Sequence, residues 1–311
     1  FQAEDGIRDV APSRGLRDVY KRQFQVAAVI VLGVLSLCAI LPFVLIFIAS
    51  FTEEKTLTQY GYTFFPRKLS LDAYKYLANN FATIGRAYLT SICLTAVGTA
   101  LSMLLTTMFA YPLSRSDFKY RYPFAFFLFF TMLFHGGIVP SYMVWTRIFH
   151  VVDSYLALLL PNLLMGAFNV LLVRNYYQTN VPAAIIESAQ IDGANELTIF
   201  WKIMLPLAVP VNVTVGLFAG LAYWNDWTNA LYYIRNVKFY GIQNVLMSIM
   251  NNIAFLSSGQ ASQVVDTSQI TIPSVGMRMA LAVIGVLPIL ILFPLLQKHL
   301  IKGIVVGAVK G

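Results

Sequence analysis

The chain has 311 residues, of which 58% are hydrophobic and only 12% are charged. This balance excludes an ordinary soluble globular domain, because such domains carry roughly twice that share of charged residues. The net charge of +8 at pH 7 is modest for this length, and no basic helix suits a nucleic acid partner. The composition therefore predicts a membrane protein whose apolar segments form helices, which makes the fold all-α.

The first 23 residues differ from the rest because they are polar and carry charges of both signs. Residues 3–10 and 18–23 resemble the translated read-through of a sequencing adaptor. We expect residues 1–23 to be either non-native or a disordered cytoplasmic tail. Residues 24–311 then form one transmembrane domain.

Six stretches contain no Lys, Arg, Asp or Glu and are apolar enough to cross a bilayer. A helix rises about 1.5 Å per residue, so roughly 20 residues cross a hydrocarbon core of about 30 Å. We predict six transmembrane helices, in windows 24–50, 87–114, 122–146, 154–173, 203–225 and 279–297. Cys38 and Cys93 fall inside these windows, where we expect packing residues and no disulfide.

A seventh charge-free window, 239–265, contains several Asn and Gln side chains. Inside lipid these amides would have no hydrogen-bond partners, and each unpaired group would destabilise the segment. We therefore predict that this window lies outside the membrane.

Basic residues cluster near one set of helix ends, in segments 115–121, 174–202 and 298–310. Six crossings place these three segments on the same side, and such clusters are typical of the cytoplasmic face. We expect both termini to be cytoplasmic. The outer segments would then be 51–86, 147–153 and 226–278.

A polar island lies between the fourth and fifth windows, at about residues 175–204. Pro182 suits the start of a helix, residues 183–191 are good helix formers, and Gly193 can adopt backbone angles that end one helix before another. The island therefore predicts a helix, a hinge and a second helix. An ordinary amphipathic loop helix is the alternative interpretation.

Signatures of enzyme chemistry are scarce. No Gly directly precedes a Lys, so the phosphate-binding Gly-x-x-x-x-Gly-Lys-Ser/Thr loop is missing. The three histidines are far apart and have no neighbouring metal-ligand pattern. We expect no catalytic residue, no cofactor and no metal site, so energy for any pumping must come from a partner.

Polar side chains inside the windows are costly unless they face a wet cavity or other helices. Amides and aromatic rings suit sugar hydroxyls and ring faces, which makes a group of residues candidates for a substrate path. These residues are Asn162, Asn169, Asn212, Tyr223, Trp224 and Asn225. The alternative is structural, because Asn can join helices and Tyr and Trp populate membrane interfaces.

The polar island closely resembles the conserved cytoplasmic loop of permease subunits of ATP-binding-cassette importers. The matching residues are Glu187, Ala189, Asp192, Gly193, Ala194, Phe200, Leu205 and Pro206, while Ser188 stands where the family has Ala. This resemblance implies that the loop docks on an ATPase subunit and couples ATP hydrolysis to transport.

The end of the chain resembles that of carbohydrate permeases related to the maltose system, and implies a tail that contacts the ATPases through Lys302, Gly303, Gly307 and Lys310. Residues 134–142 resemble permeases for complex oligosaccharides. The resemblance covers residues 24–311 and implies the type I importer permease fold.

The implied assembly contains a second permease subunit in a heterodimer, a dimer of cytoplasmic ATP-binding subunits, and an extracytoplasmic solute-binding protein. It sits in membrane lipid, in the bacterial inner membrane, and imports a sugar or oligosaccharide by alternating access. Two alternatives stay open: a permease for a peptide or amino acid, and a secondary transporter without ATP. The second usually needs ionisable residues within the spans, and the six windows contain none.

Overall fold

The described part of the chain is helical. A computed structural model describes residues 11–257 and 274–308, and within them the only strand-like pairing is an isolated bridge between Thr52 and Leu69. The all-α prediction is therefore confirmed for these residues.

The described helices follow one another in this order along the chain. The first are α1 (Ala11–Ser50), α2 (Glu54–Tyr60), α3 (Asp72–Asn79), α4 (Phe81–Ser114), α5 (Arg121–Leu133), α6 (Ile138–Met143) with a π-helical turn (Val144–Ile148), α7 (Tyr155–Leu159) and α8 (Ala167–Asn180). The next are α9 (Ala183–Ile191), α10 (Glu196–Ile199) with a π-helical turn (Phe200–Met204), α11 (Leu205–Leu207), α12 (Val209–Trp224), α13 (Thr228–Tyr233) with a 3₁₀ turn (Val237–Phe239), α14 (Ile242–Ser257) and α15 (Ser274–Ala308).

The chain divides into two compact units. The first comprises Phe1–Lys75 and Ile272–Val283, and the second comprises Tyr76–Thr271 and Ile284–Gly311. The polar island and all residues of the predicted substrate path belong to the second unit.

Helix α1 begins well before the first predicted window. It starts at Ala11 and runs without interruption to Ser50, and the stretch Lys21–Ser50 is long and apolar enough to cross a membrane. Residues 11–23 are therefore part of α1, and the assignment of residues 1–23 as non-native or a cytoplasmic tail stays a prediction. A helix can extend beyond its apolar part because backbone hydrogen bonds continue into the polar residues.

The six-span prediction is only partly matched. By length and composition, the described residues contain three helices that could cross a membrane, Lys21–Ser50, Phe81–Ser114 and Val275–Leu292. Two bent pairs, Arg121–Leu133 with Ile138–Ile148 and Glu196–Leu207 with Val209–Trp224, raise the number to five. The count of six is not confirmed.

Window 154–173 does not form one helix. Helix α7 ends at Leu159, Pro161 and Asn162 follow, and α8 begins only at Ala167. Proline disfavours helical geometry in the residue before it, and Asn162 has a left-handed φ of +62°. A charge-free window shows that a segment is apolar, but it does not show that the segment is one straight helix.

The two bent pairs have local causes. The 114° bend falls between Leu133 and Ile138, where Gly137 has a φ of +85°. The 84° bend falls at Ala208, between Pro206 and Pro210. Glycine and proline are the usual residues at sharp helix bends, because they change the permitted φ or remove a backbone donor.

Helix α4 forms the centre of the second unit and packs along α8 and α12. The core that joins these helices also includes the end of the polar island. Its most buried members are Ala110, Leu113, Val170, Val173, Tyr177, Ile199, Phe200, Met204, Ala208 and Val215. The island is therefore built onto the helical core on one side and open on the other.

In the first unit, a carboxylate holds the start of α15. Both oxygens of Glu54 accept backbone N–H groups, from Val275 and Gly276, at 2.9 Å each. Lys68 forms an ion pair with the neighbouring Glu53 at 2.6 Å. Carboxylates suit helix N-termini because the first N–H groups of a helix have no partner within it.

Two of the three segments predicted to lie outside the membrane meet at Asp153. Its carboxylate accepts the backbone N–H groups of Arg235 and Asn236, at 2.5 and 2.9 Å, and its own N–H donates to the carbonyl of Tyr233. These bonds join the predicted outer segment 147–153 to the segment after α13.

Acidification should weaken this junction. The backbone N–H groups of Asn236 and Arg235 lower the pKa of Asp153 below its ordinary value of 3.8. A carboxylate whose pKa is lowered in the folded protein stabilises the fold at every pH above its ordinary pKa. This stabilisation is lost as the pH falls below about 4 and through the lowered pKa. We expect the melting temperature in detergent to fall more steeply with acid in the wild type than in Asp153→Asn. Equal slopes would contradict this expectation.

Candidate functional site

The first half of the polar island is a short helix with a defined end. Helix α9 begins after Pro182, as predicted, and ends at Ile191. Gly193 then has a φ of +81°, and its N–H donates to the carbonyl of Gln190 at 3.0 Å. The N–H of Ala194 donates to the carbonyl of Ala189, also at 3.0 Å. This pair of bonds around a left-handed glycine is the Schellman helix ending.

The second half starts with its own cap. The side chain of Asn195 accepts the N–H of Thr198 at 2.7 Å, and α10 begins at Glu196. Asn is among the best residues at this position because its oxygen pairs one of the free N–H groups of the first turn. The helix, hinge and second helix predicted from the sequence are therefore present.

The matched residues of the island divide into an open face and a buried base. Glu187, Ser188, Asp192, Gly193 and Pro206 are exposed, Ala194 and Leu205 are half-buried, and Ala189 and Phe200 are buried. The side chain of Ala189 packs into the core of its own chain, and the carbonyl of the same residue accepts the N–H of Ala194.

One exposed apolar side chain in the island was not singled out from the sequence. Ile191, the last residue of α9, is 86% exposed and lies outside every candidate membrane span. At the tip of this short helix, next to Asp192, its side chain is largely uncovered by the described part of the chain.

Glu196 connects the island to the end of α4. Its carboxylate accepts a hydrogen bond from the Tyr111 hydroxyl and another from the Gln190 side chain at 3.1 Å. The guanidinium of Arg115 lies 3.8 Å from the same carboxylate. The sequence did not identify Tyr111 or Arg115 as site residues, because they lie more than 80 positions before Glu196 and no local pattern links them.

Two of the basic residues that were used to orient the chain, Arg115 and Arg174, lie at the C-terminal end of α4. Arg174 donates to the carbonyl of Leu113 at 3.0 Å, so α8 is fixed to the end of α4. Arg115 pairs with Asp117 at 2.8 Å and thereby lowers the pKa of the Asp117 carboxyl. The segments 115–121 and 174–202 therefore lie on one side of the second unit.

A cavity of about 390 Å³ opens beside this junction. It is mostly apolar, and its charged members are Arg115, Asp117 and Glu196. Tyr111 and Phe200 form part of the wall, with their ring centroids 5.8 Å apart. The end of α4 and the island thus meet through a tilted ring pair and a hydrogen-bonded carboxylate.

Two residues of the predicted substrate path have structural roles. Tyr223 is buried and its hydroxyl donates to the carbonyl of Leu159 at 2.9 Å. Trp224 is buried and its indole N–H donates to the carbonyl of Gly285 at 3.3 Å. The polar groups of both side chains are therefore paired within the chain, as the structural alternative predicts.

The four asparagines of that path lie in different surroundings. Asn162 and Asn225 are exposed, and Asn169 is half-buried beside Gly166. Asn212 donates to the carbonyl of Leu205 at 3.4 Å, while its side-chain oxygen is buried without a partner in the described chain. The structure does not bring the six candidates together, and a substrate role for the asparagines stays a prediction.

A polar pocket that the sequence did not suggest lies at the other end of the second unit. It has a volume of about 200 Å³ and is lined by hydroxyls, amides and two tyrosine rings. These residues are Tyr76, Asn80, Thr83, Tyr240, Ser248 and Asn252. Part of this lining comes from α14, which occupies most of the window that was predicted to lie outside the membrane.

Two further predictions concern the end of the chain and the cysteines. The backbone of α15 includes Lys302, Gly303 and Gly307, but the surroundings of these residues and the whole of Lys310 lie outside what the structure describes. Cys38 and Cys93 are both free and are exposed on α1 and α4, and a packing role for them stays a prediction.

The chain is similar to known proteins of one family. Residues 122–306 match the family model described as "Binding-protein-dependent transport system inner membrane component". The chain is 38% identical over 279 residues to the polygalacturonan/rhamnogalacturonan transport system permease protein YtcP of Bacillus subtilis (strain 168), covering 89% of this chain and 94% of YtcP. It is 39% identical over 291 residues to Protein LplC of the same strain, covering 93% and 96%.

A solved structure supports the same conclusion. The fold matches a chain of a bacterial ABC transporter involved in the import of the acidic polysaccharide alginate, with a TM-score of 0.74 and 27% identity. The match covers 90% of this chain and 97% of that one. Family model, relatives and fold agree, so the chain belongs to the inner membrane components of binding-protein-dependent transport systems, the permease subunits of ABC importers.

Proposed function

We propose that this permease carries a sugar or oligosaccharide and forms half of the translocation pathway. The proposal is supported by YtcP, whose name specifies polygalacturonan and rhamnogalacturonan, and by the similar transporter of alginate. Both handle polymers of acidic sugars. Acidic oligosaccharides are therefore the first substrates to test.

We further propose that the open face of the island docks on an ATP-binding subunit. The observation that carries this is Ile191, an almost fully exposed apolar side chain next to the acidic Asp192, on a helix whose other side is anchored in the core. A partner cleft with an apolar floor and basic rim would fit this surface. ATP hydrolysis would take place in that partner, since this sequence lacks the phosphate-binding loop.

The complete importer would contain this chain, a second permease subunit, two ATP-binding subunits and an extracytoplasmic solute-binding protein. Both termini and the island would face the cytoplasm. When the ATPases close, they would push on α9 and rock the helices between inward-open and outward-open packings. This is alternating access driven from the island.

The docking proposal is tested by crosslinking in a Cys38→Ser, Cys93→Ser background. We expect a cysteine at exposed Asp192 to crosslink to the ATP-binding subunit of the co-purified complex, with a yield that changes on adding ATP. The matched control is Ala189→Cys, three positions away and buried, which should give no adduct. A functional complex without any ATPase attached would contradict docking and favour secondary transport.

The substrate proposal is tested by uptake in cells that lack the endogenous permease. The probes are labelled galacturonate oligosaccharides, alginate oligosaccharides, a neutral oligosaccharide and a dipeptide. We expect import of at least one saccharide and no import of the dipeptide. Import of the dipeptide alone would contradict the proposal.

A further inference from the structure

Glu196 occupies a position between two rigid elements. It is the first residue of α10, directly after the Asn195 cap, and its carboxylate accepts the hydroxyl of Tyr111 near the end of α4. The Gln190 side chain ties the same carboxylate to α9 at 3.1 Å. One side chain therefore contacts both halves of the island and the longest helix of the second unit.

The contact with Tyr111 is the strongest of these interactions. Tyr111 is 8% exposed, and a hydrogen bond from its hydroxyl to a carboxylate is charge-assisted. The pair with Arg115 is weaker, because the distance is 3.8 Å and the Glu196 side chain is 58% exposed. Among the polar contacts between the island and α4, the hydrogen bond from the Tyr111 hydroxyl to Glu196 is therefore the main one, and it adds to the apolar core that the two share.

The backbone that leads from the island to α12 is interrupted, whereas α4 is continuous. From α10 the chain passes through the π-helical turn Phe200–Met204, and then through the 84° bend at Ala208 before α12. Helix α4, in contrast, is continuous over Phe81–Ser114, a length of about 50 Å. Near its other end, Tyr88 donates to the carbonyl of Ile284 and its ring lies 6.2 Å from that of Trp224. Helix α4 thus connects the island to the opposite end of the bundle without a break.

We propose that the Tyr111–Glu196 contact is the point at which motion of the island passes to α4. The inference rests on the proposed docking of the island on an ATPase. It assigns Glu196 and Tyr111 as positioning residues for coupling, distinct from the exposed residues that meet the partner. Without this contact, α9 and α10 move with the ATPase while α4 follows only partly.

The test measures the distance between the island and α4 in the assembled complex. Spin labels are placed at exposed Ala184 on α9 and exposed Leu101 on α4, in the Cys38→Ser, Cys93→Ser background. In the otherwise wild-type chain we expect one narrow distance, both without nucleotide and after trapping with ATP and vanadate. Tyr111→Phe and Glu196→Ala should show a second distance after trapping, because loss of a coupling contact changes the equilibrium between two arrangements by about 2- to 30-fold.

Three controls separate the link from a general loss of structure. Glu196→Gln keeps an oxygen that accepts the Tyr111 hydroxyl and should retain the single distance. Tyr122→Phe removes an exposed hydroxyl on the same side, which contacts Arg121 and not the island, and should have no effect. The double variant Tyr111→Phe, Glu196→Ala should behave like either single variant, since both remove the same contact.

The outcomes distinguish this inference from the proposed function. If Tyr111→Phe and Glu196→Ala keep the single narrow distance while the crosslink at Asp192→Cys persists, the inference is wrong and docking stands. If the wild-type complex gives no crosslink to an ATPase, the docking proposal fails and the inference fails with it.

Discussion

Replacing Gly193 with proline is expected to abolish ATP-driven uptake while the chain still inserts into the membrane. Gly193 has a φ of +81°, and the proline ring holds φ near −65°. Proline also removes the N–H that donates to the carbonyl of Gln190 at 3.0 Å. The helix ending of α9 cannot form, so Ile191 and Asp192 lose their positions on the open face.

A graded series separates backbone strain from crowding at this position. A Cβ at residue 193 would have no atom within 4 Å, so a side chain fits and only the left-handed backbone is penalised. That penalty is about 1–2 kcal/mol for most residues and smaller for Asn. Uptake and crosslinking at Asp192→Cys should decrease in the order Gly, Asn, Ala, Pro. Normal uptake by Gly193→Pro would refute the role of the hinge.

The local structure of the island could be predicted because local rules determine it. Pro182 at the start, helix formers over Ala183–Ile191 and a left-handed Gly193 are all readable within a dozen residues. The contact between Glu196 and Tyr111 could not be predicted in this way. It joins residues 85 positions apart, and only the packing of α4 against the island brings them together.

The spans show a similar limit. Absence of charge located segments that overlap the three candidate spans and the two bent pairs, because charged groups are costly in lipid. The same criterion could not show that Asn162 takes a left-handed conformation or that the chain turns by 84° at Ala208. Such breaks depend on single Pro, Gly and Asn residues in their final packing, so the window 154–173 was wrongly treated as one helix.

Tyr223 illustrates why candidate substrate residues are hard to choose from sequence. An aromatic hydroxyl at the end of an apolar window suits both a sugar path and an internal contact. The structure decides, because the ring of Tyr223 lies directly over Gly98 of α4 and its hydroxyl is paired with Leu159. A glycine in the middle of a long helix was the available signal for such a close approach.

Gly98→Ala is therefore expected to destabilise the second unit strongly. A Cβ at residue 98 would lie 2.5 Å from two atoms of the Tyr223 ring and 2.7 Å from a third, closer than any ordinary contact. The ring cannot rotate away without giving up its hydrogen bond to Leu159. We expect a loss of about 1–3 kcal/mol, typical of an overpacked core, and a lower melting temperature in detergent.

Gly216 on the facing α12 provides the matched control. A Cβ there would meet only Met103, at 3.7 and 3.8 Å, which is normal van der Waals contact. Since alanine is the better helix former by about 1 kcal/mol, Gly216→Ala should be neutral or stabilising. Tyr223→Leu replaces the ring with a smaller side chain. Combined with Gly98→Ala, it should restore part of the stability that Gly98→Ala alone loses. If Gly98→Ala melts at the same temperature as Gly216→Ala, the α4–α12 contact is not the close approach that holds this helix pair together.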